Sequence, residues 1–188
     1  MDEPRVPRGV AAFGDEPVVV HFDGACEPAR GGGVATFGFT VDGQGFRYEE
    51  FGLATRPYSE RSTNNVAEYV AAIRALEWLQ EQGYTGPARL TGDSQLVIRQ
   101  MTGEYAVKTP HLLAYRERLV QLASRFRSVE YRWVPREQNT RADALSKEAL
   151  RAASVTARAY RPPRPGASAT DPGPTESDER VDDDERAP

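Results

Sequence analysis

"RSTNNVAEYVAAIRALEWL", residues 61–79, reads as a helix with one acid on its apolar side. At about 100° per residue, Glu68 falls beside Ala72, Ala75 and Leu79, roughly 150° from the charged stripe of Arg74, Glu77 and Glu81. The pattern runs to about Gln82 and stops at Gly83, a residue suited to the C-cap. Glu68 is too far into the helix to cap it. A carboxylate turned inward is costly without a partner, so other segments of the chain have to provide one.

Upstream of this helix, "PVVVHFDG" is a short β-branched run closed by a turn pair, and "GGVATFGFTV" and "GFRYEEFGLA" follow as strands joined through "DGQG". These are expected to be three antiparallel strands. Downstream, "ARLTGDSQLVIRQM" predicts a strand ending at Thr91 or Gly92 and a short helix beginning at Asp93 or Ser94, an order that implies a crossover. "TPHLLAYRERLVQLASRF" is helical with Pro110 in its first turn, "SVEYRWVP" is a strand, and "NTRADALSKEALRAA" is a final amphipathic helix. The order is βββαβααβα, an α/β fold with a mixed sheet and helices on its faces.

The chain has 188 residues, room for one domain with a real core and some extra length. Residues 1–16 and residues from 153 onward, rich in Pro, Gly, Ser and charge, cannot bury enough to stay folded and are expected to be disordered, leaving a domain at 17–152. Residues 1–16 hold 2 Arg and 4 Asp+Glu, and residues 151–188 hold 6 Arg and 8 Asp+Glu, so the net charge of −4 comes entirely from the ends. The acidic tail at 153–188 reads first as a solubilising segment. The balanced middle excludes a globally basic nucleic-acid binder. The single cysteine, Cys26, excludes an internal disulfide and a multi-cysteine zinc site, and suits a reducing compartment. No apolar run approaches the roughly 18 residues that span a bilayer, and the start lacks a signal-peptide pattern. A cytoplasmic protein without membrane contact is expected.

Three further acids have innocent local explanations. Asp23 ends the first strand in an Asp-Gly turn pair, Asp93 is a good N-cap, and Asp143 stands three residues after Thr140 as in a capping box. Yet three of the four acids occupy equivalent places, at the end of a strand or in the first turns of a helix leading away from the sheet. With parallel crossovers, such places gather at the strands' carboxyl ends. Converging acids repel one another unless a cation sits among them, and these segments offer no buried Lys or Arg. Oxygen ligands without His or Cys select a hard divalent ion, Mg²⁺ or Mn²⁺. A carboxylate metal site is the resulting expectation.

At this point the sequence resembles type 1 ribonuclease H, in "FDGAC", "STNNVAEYVAAIRAL", "LTGDSQLVIRQM" and "WVPREQNTRADALSKEAL", over about residues 17–152. The resemblance implies the RNase H-like fold, with a five-stranded mixed sheet of three antiparallel strands and then two parallel ones. It implies endonucleolytic hydrolysis of the RNA strand of RNA/DNA hybrids, leaving 5′-phosphate and 3′-hydroxyl ends, with Asp23, Glu68, Asp93 and Asp143 as the acid set. Two Mg²⁺ ions about 4 Å apart suit that in-line displacement. By resemblance Asp23 bridges both ions, Asp143 holds the one that activates water, and Glu68 with Asp93 holds the other.

The same resemblance implies the substrate contacts. The 2′-hydroxyl marks RNA, and Asn64, Asn65 and Gln95 are the expected readers of the minor groove, with the backbone at Gly24 and Ala25 close to the ribose. Arg61 and Thr63 match the family's pocket for a DNA-strand phosphate. Three departures stand out. The loop before Asp143 has no histidine, leaving Arg136 or Glu137 to substitute. The basic protrusion of some relatives is missing, since "MTGEYAVKTPHLL" offers only Lys108, which predicts weaker and strongly salt-sensitive binding. "EPARGGG" stands where Asn-Pro-Gly is common. A monomer without an obligate protein partner is expected. Other readings stay open: a 3′–5′ exonuclease or integrase-like nuclease of the same fold, a non-catalytic hybrid-binding module, or an interaction protein whose acids are caps lying far apart.

Overall fold

The computed structural model describes residues 16–28, 32–43 and 45–157, so the segments expected to be disordered, 1–16 and 153–188, lie outside the described residues except for residues 16 and 153–157. In chain order the elements are β1 (Val18–Glu27), β2 (Val34–Gly43), β3 (Phe46–Leu53), α1 (Asn64–Glu81), β4 (Pro87–Gly92), α2 (Gln95–Met101), α3 (Pro110–Ala123), β5 (Ser128–Trp133) and α4 (Thr140–Ala157). A single 3-10 turn, Arg136–Gln138, precedes α4. The five strands form one sheet in the order β3-β2-β1-β4-β5. β1 pairs antiparallel with β2, and β2 with β3, while β4 lies parallel to β1 and β5 parallel to β4. The predicted order and the mixed sheet are both present. One boundary differs: α4 runs past residue 152 to Ala157, because the alanine-rich stretch from Ala149 keeps high helix propensity.

Local chemistry sets the ends of α1. Thr63 has extended backbone and its hydroxyl accepts from Val66 N at 3.3 Å, the N-cap arrangement, and Gly83 at φ 77° closes the helix beyond its C-cap. α1 lies on one face of the sheet, where Val20 and Phe22 of β1, Phe39 and Val41 of β2 and Leu90 of β4 are fully buried with its Ala72, Ala75, Leu76 and Leu79. Each fully buried Val, Leu or Phe side chain among them contributes about 1.5–3 kcal/mol.

The pleat then assigns the two helices to opposite faces. Gly24 pairs with Phe37 and Asp23 with Gly38, so each pair turns to its own side of the sheet. A Cβ at Gly24 would stand 2.2 Å from Glu68 N on α1, and one at Gly38 would stand 2.5 Å from Ser146 N on α4. α4 is fastened to its face by the Thr36 hydroxyl, which donates to Ser146 O at 2.8 Å. No helix among the described residues is long and apolar enough to cross a membrane.

Candidate active site

Asp23 on β1, Glu68 in the second turn of α1 and Asp93 in the turn between β4 and α2 come together: one carboxylate oxygen from each lies within 4.8 Å of the others. Parallel pairing of β1 with β4 brings their carboxyl ends side by side. The bare backbone of Gly24 lets the start of α1 press against β1, which is what carries Glu68 into reach. Asp93 is not the N-cap of α2. Ser94 takes that role, its hydroxyl accepting from Val97 N at 3.4 Å, and the Asp93 carboxylate is free to face the site.

The cluster is electrostatically uncomfortable by itself. Asp23 is 5% exposed, and its pKa is pushed up to about 7, first by burial and further by the charges of Asp93 and Asp143, against the opposing hydrogen bond from Ser146. Burial likewise pushes Glu68 well above the ordinary carboxylate range, reinforced by Asp23 and Asp93, although the Gly24 N–H favours its charged form. Glu68 Oε2 is buried with no hydrogen-bond partner. Three convergent carboxylates, one of them with an orphaned oxygen, and no imidazole or thiol in the group fit a hard divalent cation.

Asp143 stands apart from this triad. The capping box expected with Thr140 is not formed, since Thr140 is already helical and the Asp143 carboxylate is taken by cations. Lys147 Nζ donates to Oδ2 at 2.7 Å and Arg136 donates to Oδ1. Burial pushes the Asp143 pKa up, but the hydrogen bonds from Lys147 and Arg136 outweigh it and hold the carboxyl below its usual range. Ser146, one turn after Asp143, donates its hydroxyl to the Asp23 carboxylate, with the Asp143 backbone carbonyl 3.0 Å away as the competing acceptor.

The expected substrate residues lie along the chain near the acids, on β1, at the start of α1 and at the start of α2. Gly24 and Ala25 follow Asp23 on β1. Because Thr63 caps α1, Asn64 and Asn65 are spare in its first turn, half-buried and exposed, with no side-chain hydrogen bond among the described residues. Gln95 is exposed at the start of α2. Thr63 is committed to its capping bond, whereas Arg61 lines a groove of about 360 Å³ with Val70 and Ile73 of α1 and His111, Tyr115 and Arg118 of α3. In the 3-10 turn Arg136 reaches Asp143, while Glu137 is exposed and joins no acid of the triad.

Four residues at the site escaped the sequence reading. Lys147 was detectable as the i+4 partner of Asp143. Ser146 and Asn139 gave no local signal, because their partners are far along the chain: Asp23 for the first, and Phe22 and Asp93 for the second. Trp133 donates its indole N–H to Asp93 O at 3.0 Å, a bond that only the β4–β5 pairing makes available.

Residues 21–149 match the family described as reverse transcriptase-like. A bifunctional protein of Mycobacterium tuberculosis is 46% identical over 99 residues, 53% of this chain but 27% of that protein, so the chain spans about a quarter of that relative. The ribonuclease HI of Halobacterium salinarum is 42% identical over 135 residues, 71% of this chain and 64% of that one. The crystal structure of RNase H1 from the same species matches with a TM-score of 0.63 at 38% identity, covering 73% of this chain and 99% of that one. LC11-RNase H1 crystallised in complex with RNA/DNA hybrid gives 0.64 at 32% identity, covering 73% and 99%. With the predicted order of elements, the mixed sheet and three converging acids already in hand, these likenesses establish that the chain belongs to the type 1 ribonuclease H family.

Proposed function

We propose that the protein hydrolyses the RNA strand of RNA/DNA hybrids endonucleolytically, using two Mg²⁺ ions, with Mn²⁺ as an alternative, held by Asp23, Glu68, Asp93 and Asp143. The observation that carries this reading is the convergence of the Asp23, Glu68 and Asp93 carboxylates, with one Glu68 oxygen buried and unpartnered. The hybrid bound to LC11-RNase H1 supports the choice of substrate. Cations bound there supply charge stabilisation at the phosphate and a water acidic enough to attack near neutral pH.

In the net reaction a water oxygen bonds to phosphorus as the P–O3′ bond breaks, leaving a 5′-phosphate and a 3′-hydroxyl. By the family resemblance Asp23 would be the ligand shared between the two ions, with Asp143 beside it for one and Glu68 with Asp93 for the other. Asp143 joins once its oxygens are released by Arg136 or Lys147. Asn64, Asn65 and Gln95 read the minor groove with side-chain amides that have no hydrogen-bond partner among the described residues, and the backbone at Gly24 and Ala25 abuts the ribose. Arg61, at the mouth of the α1–α3 groove, takes a phosphate of the DNA strand, with Thr63 beside it. Arg136 stands in the loop where many relatives place a histidine, and Glu137 is its neighbour. On this reading the chain acts as a cytoplasmic monomer, a setting that its single buried thiol suits.

The test is cleavage of end-labelled RNA/DNA hybrid beside single-stranded RNA and double-stranded DNA of one sequence. Hybrid alone is expected to be cut, with Mg²⁺ required and Asp23→Asn inactive. Equal cleavage of all three substrates, or full activity in Asp23→Asn, would overturn the reading.

A further inference from the structure

Asn139 occupies the position just before α4, where an Asn ordinarily turns its side chain back to cap the helix. Here its backbone carbonyl accepts from Asp143 N at 3.1 Å, as the first helical bond requires, but the side chain points the other way, into the acid site. It is 1% exposed. Nδ2 donates to Phe22 O at 2.9 Å and to Asp93 Oδ1 at 2.9 Å. The first bond fixes β1 at the residue before Asp23, and the second fixes one oxygen of Asp93. Through its backbone and its amide, one residue therefore touches the segments that carry three of the four acids.

The orientation of the amide follows from its neighbours. Phe22 O and Asp93 Oδ1 are both acceptors, so a flipped amide would set an oxygen against two oxygens. Oδ1 must then point away from them, and it is buried without a hydrogen-bond partner. Buried acceptors are rarely left alone, and the second orphan among the described residues is Glu68 Oε2 in the same site. Asn139 Oδ1 can only accept, and none of the described residues gives it a donor, so the whole hold of this side chain on the site runs through its N–H₂.

We propose that Asn139 is the positioning residue of the metal site: its amide N–H₂ aims Asp93 and anchors the strand of Asp23. This rests on the metal-dependent reading above. Second-shell hydrogen bonds of this kind are worth about 10–100-fold in metal affinity.

The experiment is calorimetric titration of the whole chain with MgCl₂, alongside its thermal midpoint with and without the salt. Asn139→Ala is expected to weaken Mg²⁺ binding at least about 10-fold and to shrink the Mg²⁺-induced rise in midpoint. Tyr69→Phe, which deletes the equally buried 2.7 Å bond to Gln100 Oε1, a bond in which none of the four acids takes part, serves as control and should lower the midpoint with Mg²⁺ affinity unchanged. Should Asn139→Ala not fold, Asn139→Ser, too short to reach both partners, carries the same expectation. Affinity within about two-fold of the unmodified chain in the variant that folds overturns the proposal alone. If the unmodified chain binds no Mg²⁺, the ribonuclease reading fails first and this one with it.

Discussion

Lys147 Nζ lies 2.7 Å from Asp143 Oδ2, one turn along α4, while Arg136 holds the other oxygen of the same carboxylate. The fourth acid is thus already charge-paired. A divalent ion that takes Asp143 has to displace one of these cations, and Arg136 also acts through space on Asp23 and Glu68, favouring their charged forms. Its positive charge opposes any cation that enters. Arg136→Ala is therefore expected to tighten Mg²⁺ binding, by about three-fold, a modest figure because the guanidinium is largely solvated. Titration calorimetry checks it. Unchanged or weaker binding would show that Arg136 and the metal do not compete.

The raised pKa values make a signed prediction about pH. Asp23 moves from the ordinary 3.8 to about 7, and Glu68 is raised as well. For an acid whose folded pKa exceeds its unfolded one, the folded state binds the extra proton. Stability from that source is full below the unfolded value and is lost as pH rises through the folded one. The metal-free protein should lose stability between about pH 4 and pH 7 from these groups. Added Mg²⁺ should raise the thermal midpoint more at pH 8 than at pH 5. Asp23→Asn, neutral at every pH, should be the more stable protein at pH 8 without metal, by several degrees, and should gain less from Mg²⁺. A Mg²⁺ effect independent of pH would contradict this.

Close approach at two glycines predicts a split between stability and site geometry. A Cβ at Gly24 would meet Glu68 N at 2.2 Å and Ala67 C at 2.4 Å, backbone atoms that cannot swing aside. At Gly38 the added atom would meet Ser146 N at 2.5 Å on the opposite face. Gly24→Ala and Gly38→Ala are each expected to cost about 1–3 kcal/mol or more in urea unfolding, as overpacking does. Gly24→Ala should also push α1 and Glu68 off β1, so its Mg²⁺ affinity should fall further than that of Gly38→Ala. Equal affinities would argue that Glu68 is not held in place by this contact.

How far these features can be read from the residues depends on the range of the interaction. Glu68 announces itself because a helical period is a local pattern, and a carboxylate on its apolar side has no local remedy. Asp23 and Asp93 converge because strand order fixes where parallel strands end. The helix caps were less legible: Ser94 displaces Asp93 by one position, and both offer an oxygen in the same turn. The spacing of Thr140 and Asp143 also fits a capping box, and nothing local shows that Arg136, across a 3-10 turn, competes for the Asp143 carboxylate instead. Asn139 and Ser146 were invisible in their roles, since each depends on a partner more than one hundred positions away, 117 and 123 respectively.

The groove between α1 and α3 gives the last prediction. Arg61 stands at it with no side-chain partner among the described residues, whereas Arg118 on the far wall is paired with Glu77 at 2.9 Å. A free guanidinium beside a groove with His111 is the group best placed to meet a phosphate, and phosphate contacts act through charge and counterion release. Arg61→Ala should therefore raise KM for hybrid with kcat little changed, and should reduce the slope of log affinity against log salt by about one. Thr63→Ala separates the neighbour's role: its hydroxyl is committed to Val66 N, so about 1 kcal/mol of stability should be lost. An unchanged salt slope in Arg61→Ala would mean that the DNA strand passes elsewhere. A lower kcat with unaltered KM would mean instead that Arg61 acts on the reacting phosphate, which its place at the α1–α3 groove, away from the acid triad, argues against.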